Sequence, residues 1–205
     1  MKQFAGLCKR PFFLLVLNLF LCLPLTAQNE NTANDGRAGQ DLRAVLYFVM
    51  GNDKAAAGTE LPRELADVAK EIKSGWSHTA LRLAGRQLVK TEAPGVFKSR
   101  VPIDLGNDGD AKIPISISTL DWVITLKRAD GGTAHLGACS FSIRTPVRLA
   151  KVETSGDVFN YEAFNTSMSG LSVRKGVPTL IGSLSLPAPG GTLFVILTLE
   201  AVTVG

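Results

Sequence analysis

The run Leu193-Phe194-Val195-Ile196-Leu197-Thr198-Leu199 is apolar at nearly every position and lacks the alternation of a strand with one wet face. Such a run, apolar on both sides, reads as a strand buried centrally in a sheet and not at its edge. The sequence ahead of it supplies neighbours. Beyond Val96 no helical periodicity is found. Ile113, Ile115 and Ile117 alternate with Pro114, Ser116 and Ser118, so three isoleucines share one face of a strand. Pro114 has no amide hydrogen for a ladder and points to an edge position. Trp122, Ile124 and Leu126 continue the alternation as far as Ala129-Asp130-Gly131-Gly132, a hairpin-type turn, and Leu136 to Ile143 is the expected partner strand. Val147-Arg148-Leu149 and Val158 to Phe164 read as short strands. Leu171 to Arg174 leads through Lys175-Gly176 into a strand over Thr179 to Leu186, and Pro187-Ala188-Pro189-Gly190-Gly191 turns the chain into the final run.

The earlier segment has a different rhythm. Leu42 to Met50 is a strand rich in aromatic and β-branched residues, stopped by Gly51-Asn52-Asp53. Lys54 to Thr59 is a loop of small residues. From Pro62, suited to a first helical position, Leu61, Leu65, Val68, Ala69 and Ile72 form one apolar stripe, with Arg63, Glu64, Asp67, Lys70 and Lys73 off it. Gly75 is placed to end the helix. Thr79 to Thr91 reads as a second strand. The expected fold class is therefore α+β: a small strand–helix–strand module over residues 41–102, then a mainly antiparallel β domain over 103–205, either a sandwich or a curled sheet.

Residues 1–27 have the three zones of an export signal. Lys2, Lys9 and Arg10 are followed by an apolar run from Phe12 to Leu23, broken by Asn18 and closed by Pro24, with the cut expected after Ala27. The run falls short of the roughly 20 apolar residues of an uncut span, so no membrane span is expected once the signal is cleaved. Phe20-Leu21 lacks the small residues that a lipid anchor on Cys22 requires. Residues 28–40, QNENTANDGRAGQ, contain no large apolar side chain and read as a flexible leader. The expected location is outside the cytosol: the periplasm or cell envelope in a bacterium, the extracellular space otherwise.

The formal charge of +4 shrinks when the signal leaves, because it carries three of the 22 basic residues and none of the 18 acids. A nearly neutral mature chain without a run of like charge argues against a nucleic-acid partner. Of three cysteines, Cys8 and Cys22 go with the signal, so no intramolecular disulfide is possible and the fold must be held by its core. Cys139, in Gly137-Ala138-Cys139-Ser140-Phe141, reads as a small buried hydrophobe.

Local motifs for chemistry are weak. His78 and His135 have no metal-ligating residue at ligand spacing and read as surface or turn histidines. Ser172-Val173-Arg174-Lys175 matches S-x-x-K, but that chemistry needs the serine and lysine one helical turn apart, and here they lie on a strand entering a turn. Asp104-Leu105-Gly106-Asn107-Asp108-Gly109-Asp110 has the outline of a calcium loop, yet its third position is Gly106 and its twelfth Ile115, so a polar turn is the reading. Asn165-Thr166-Ser167 is a glycosylation sequon. No catalytic, cofactor-binding or metal-binding residue is assigned, no cofactor is expected, and an enzyme is disfavoured.

The stretch Asn165-Thr166-Ser167, Leu171-Ser172-Val173-Arg174-Lys175-Gly176-Val177-Pro178-Thr179-Leu180-Ile181-Gly182-Ser183-Leu184 and then Leu193 to Val202 resembles the closing strands of bacterial secretins, the outer-membrane channels of type II and III secretion and of pili. The strand–helix–strand unit is similar to their small periplasmic ring-building domains. Gly182-Ser183-Leu184 stands where the family has Gly-Gly-Leu, and Thr198-Leu199 where it has Thr-Pro. The resemblance implies envelope residence and assembly with protein partners, envelope components or further copies of the chain, and not catalysis. The expectation is an exported envelope protein with a non-enzymatic binding or assembly role. Its rival is a secreted hydrolase or small-molecule-binding protein with a dispersed site, in which Asp121 or Asp157 would be among the convergent polar groups.

Overall fold

The computed structural model describes residues 40–52, 60–105, 118–152, 156–186 and 191–202. The expected signal, nearly all of the leader, the Lys54–Thr59 loop, the isoleucine-rich strand before Ser118, most of the Asp104–Asp110 loop and residues 187–190 of the last turn lie outside those residues. The elements are β1 (Gln40–Asn52), α1 (Ala66–Gly75, preceded by a 3-10 turn Arg63–Leu65), β2 (Ala80–Ala93), β3 (Gly95–Ile103), β4 (Ser118–Asp130), β5 (Thr133–Val152), β6 (Gly156–Arg174), β7 (Thr179–Leu186) and β8 (Gly191–Ala201). All ladders are antiparallel. One sheet has the order β2-β1-β8-β7, the other β3-β4-β5-β6.

The α+β class with a β-rich body is what the structure has, and the sheets stack as a sandwich. Leu42, Leu46 and Phe48 from β1 and Leu193, Val195 and Leu197 from β8 face Leu120, Trp122 and Ile124 from β4 and Phe141 and Ile143 from β5 in one core. The opposite face of β1 and β8 is covered by the helical segment, with Leu65, Val68 and Ile72 set on Val45, Tyr47, Val49, Phe194 and Ile196. Each such buried aliphatic side chain contributes about 1.5–3 kcal/mol relative to exposure. β8 is thus apolar on both faces because it has a layer on both, and it lies centrally between β1 and β7. β1, from the strand–helix–strand segment, takes β2 on one side and β8, from the far end of the chain, on the other.

Read around the sandwich, the strands follow in cyclic sequence order. Six neighbouring pairs are laddered, including β8 with β1. The remaining two, β2 beside β3 and β6 beside β7, are corners where the chain passes between sheets and the strands touch without a ladder. At the first corner polar side chains span the gap. The Gln87 amide donates to Ser99 Oγ (2.8 Å) and accepts from the Trp122 indole N–H (2.9 Å), while Arg82 donates to the Asp104 carbonyl (3.0 Å). At the second corner Phe164, Met168 and Leu171 pack against the core. There Gly182 has no room for a side chain, since a Cβ would lie 2.9 Å from the Phe141 ring. The turn after β6 is tied to both sheets: the Lys175 N–H donates to the Gly132 carbonyl (2.8 Å) and the Gly176 N–H to that of Leu199 (2.7 Å).

Several local readings change. Val147–Leu149 is part of β5, and Val158–Phe164 and Leu171–Arg174 are parts of β6, two long continuous strands. β3 was not expected as a strand. The helix begins with a 3-10 turn, and Pro62 stands before it with its carbonyl accepting from the Leu65 N–H (3.0 Å).

Candidate interaction surface

The β4–β5 ladder starts at Thr119 opposite Arg144, whereas the β5–β6 ladder runs on to Val152 opposite Gly156. Among the described residues, Thr145–Val152 and Gly156–Glu162 therefore pair only with each other, as a two-stranded hairpin continuing past the end of β4. Its root is fixed by a buried hydrogen bond between the Ser118 and Thr145 hydroxyls (2.8 Å). The hairpin exposes apolar surface: Val158 is 44% and Tyr161 51% exposed, with the Arg144 guanidinium 5.8 Å from the Tyr161 ring centre.

The outer side of β6 ends its sheet beside β7 at the second corner, and its residues differ from those of the other three edges. Natural edges are blunted by charge, proline, shortness or covering groups, because unpaired backbone invites another strand. β3 carries Lys98, Arg100 and Pro102; β7 spans only Thr179–Leu186; β2 is bridged by Gln87 and Arg82. β6 has no charge and no proline from Ala163 to Val173. Its sheet face shows exposed Asn165, Ser167 and Ser169. Gly170, at φ +70°, bends the strand near its C-terminal end, a conformation glycine adopts without cost.

Next to this edge, on the same open sheet face, lies a depression of about 280 Å³ bordered by Asp121, Val123, Ser140, Ser142, Asn165 and Ser167. The Asp121 carboxylate is occupied by Arg100, whose Nε and Nη2 donate at 2.5 and 3.0 Å. That hydrogen bonding, with a smaller charge attraction to Arg100 and Arg144, holds Asp121 below the usual carboxylate range. Asp157 lies in the hairpin strand of β6. The sequon residues Asn165-Thr166-Ser167 are in β6.

The remaining residues singled out in the sequence are dispersed. Cys139 is fully buried, and burial pushes its thiol up to about 11, so it is packed as a small apolar group. His78, between α1 and β2, bonds the Thr192 hydroxyl (2.9 Å) and stands edge-on to Phe194. His135 Nδ1 is 3.0 Å from Ser172 Oγ across the β5–β6 ladder, a contact that only the register reveals. Ser172 is on β6 and Lys175 in the following turn, so the S-x-x-K tetrad is not helical. Asp104 belongs to the Arg82 bridge at the β2/β3 corner. No cluster of three or more metal-ligating side chains occurs among the described residues, and no helix there is long and apolar enough to cross a membrane.

No family model and no curated protein matches the chain. Among solved structures, it is similar to the InvG secretin domain β-barrel from the Salmonella SPI-1 injectisome NC-base. Sequence identity is 10% and the TM-score 0.36, over 82% of this chain and 64% of that one. The likeness is weak and in outline only, and it extends over most of the chain and not just its closing strands.

Proposed function

We propose that the chain is an exported cell-envelope protein with a non-enzymatic binding or assembly role, engaging protein partners through the outer edge of β6 and the hairpin that prolongs it. The observation that carries this reading is the hairpin past the end of β4, where β6 pairs only with β5 among the described residues and Val158 and Tyr161 stand exposed. An added strand would meet the unpaired backbone of β6, and apolar side chains of the partner would cover the hairpin. The export half of the reading rests on the basic, apolar and cut-site zones of residues 1–27.

A photo-crosslinking side chain at position 161 tests the surface. The mature chain is expected to give intermolecular products, either with itself or with a purified envelope component, and Val158→Asp, with the crosslinker kept in place, should abolish them without lowering Tm. A strictly monomeric protein that yields only intramolecular products would overturn the reading. Export is tested separately by fractionation and N-terminal sequencing. The mature chain should begin at Gln28, and an uncut cytosolic product would refute that half.

A further inference from the structure

The outer face of the β2-β1-β8-β7 sheet is only partly roofed by α1. Away from the helix, the cross-strand rows are Arg86–Tyr47–Ile196, Leu88–Val45–Thr198 and Lys90–Arg43–Glu200. A cleft of about 260 Å³ opens over them, walled on one side by Glu64 from the 3-10 turn and on the other by Gly176 and Pro178. Its floor is Val45, Tyr47 and Thr198, all at least nine-tenths buried, while Leu88 stands 53% exposed at the rim. None of this belongs to the β6 edge.

The charges in the cleft are sorted in a particular way. Arg43 and Glu200 are paired with each other through the guanidinium Nε and Nη2 and neutralise one another. Arg86 and Glu64 make no ion pair among the described residues. Both are held on Tyr47: the Arg86 guanidinium lies over the ring, 5.2 Å from its centre, and Glu64 accepts the phenol hydroxyl at 3.1 Å. Burial, and then the hydrogen bond to Glu64, raise the Tyr47 pKa, so the phenol stays protonated and keeps Glu64 in place. At the floor the Thr198 hydroxyl is buried without a hydrogen-bond partner.

The chemistry of the occupant follows. A simple anion would meet Glu64, and a simple cation would meet Arg86. A neutral ligand would engage neither charge, and both side chains stand exposed at the rim of the cleft. A molecule with both charges satisfies both, and its hydrocarbon part can lie on Val45, Leu88 and Pro178. We propose that this cleft is a binding site for a small zwitterion, an α-amino acid with an apolar side chain. Arg86 takes the carboxylate, a planar fork suited to that group, and Glu64 takes the ammonium.

The test uses L-leucine as probe on the isotope-labelled mature chain, read by amide chemical shifts. Leucine should shift amides of Arg43–Tyr47, Arg86–Leu88 and Thr198–Glu200. 4-Methylpentanoate, without the ammonium, and 3-methylbutylamine, without the carboxylate, should each bind at least roughly tenfold more weakly, the scale of one unmet charged partner. Glu64→Gln, which keeps an acceptor for Tyr47, should remove the preference for leucine over 4-methylpentanoate. Arg86→Gln should remove the preference over the amine. Absence of shifts at these amides at millimolar leucine would overturn the site, and so would 4-methylpentanoate binding as tightly as leucine. Self-association need not change in any arm, so this outcome and that of the β6 crosslinking are independent.

Discussion

At the β2/β3 corner the two sheets are joined by directed polar contacts, with Gln87 standing between Ser99 and the Trp122 indole and Arg82 reaching Asp104. At the β6/β7 corner they are joined by fit, with Phe164, Met168 and Leu171 filling the space and the Phe141 ring against Gly182. The first kind of joint is specified by a few directed bonds, with the buried Arg82 Nε left without a partner. The second is specified by volume. A polar joint that loses one member strands another in the interior, whereas an apolar joint loses stability in proportion to the void or the overlap created.

The comparison breaks most visibly at Phe141. Phe141→Ala should cost about 3–5 kcal/mol of unfolding free energy by denaturant titration, the range for emptying a buried aromatic site; a cost below that of Gln87→Ala would mean the apolar corner is not packed as described. Gly182→Ala drives a methyl into the same ring and should cost about 1–3 kcal/mol. Gln87→Ala leaves the Trp122 N–H unpaired, with an expected loss of about 1–3 kcal/mol and a changed near-ultraviolet Trp signal. Combined with Ser99→Ala, the losses should fall short of additive, because the two residues share a bond.

Cys139, opposite Met168 in the ladder, reports whether the apolar corner opens. Its thiol should resist a disulfide reagent at pH 8 in the native chain and react in denaturant. Its pKa is raised from 9.0 to about 11 in the folded state, so the unfolded chain loses its proton first. The contribution to stability is therefore complete below pH 9 and declines as pH rises toward 11. The smallest effect is expected at the exposed Arg100–Asp121 pair, away from both corners. Asp121→Asn should lower Tm less than any of the other substitutions at neutral pH and physiological salt. Because the folded pKa is depressed, whatever the pair contributes is present above the ordinary carboxylate range and fades as pH falls through the folded value, so wild type and variant should converge in acid.

What was legible in the sequence was periodicity. The double-sided apolar run of β8, the stripe of α1 and the alternation of β4 each announce a local burial pattern, and each is found. β3 hides because its inward row includes the polar Ser99, taken up by Gln87, and because Pro102 is tolerated on an edge strand. β5 and β6 look like fragments because Pro146 and Gly170 interrupt the pattern without ending the strands. The phase change in β2 comes from a bulge near Ala84, which separates outward-facing Leu81 and Leu83 from Leu88. The surfaces were harder still. The β6 edge, the His135–Ser172 contact and the Arg86–Tyr47–Glu64 arrangement all depend on which strands are neighbours, and neighbourhood between distant segments leaves no local trace.

The ladder of β1 with β8 joins residues such as Arg43 and Glu200, 157 positions apart along the chain. During synthesis the first strand emerges with two apolar faces and waits for the last strand to arrive. Contacts of this separation form late and slowly, and until then β1 has β2 on one side and an unpaired edge on the other.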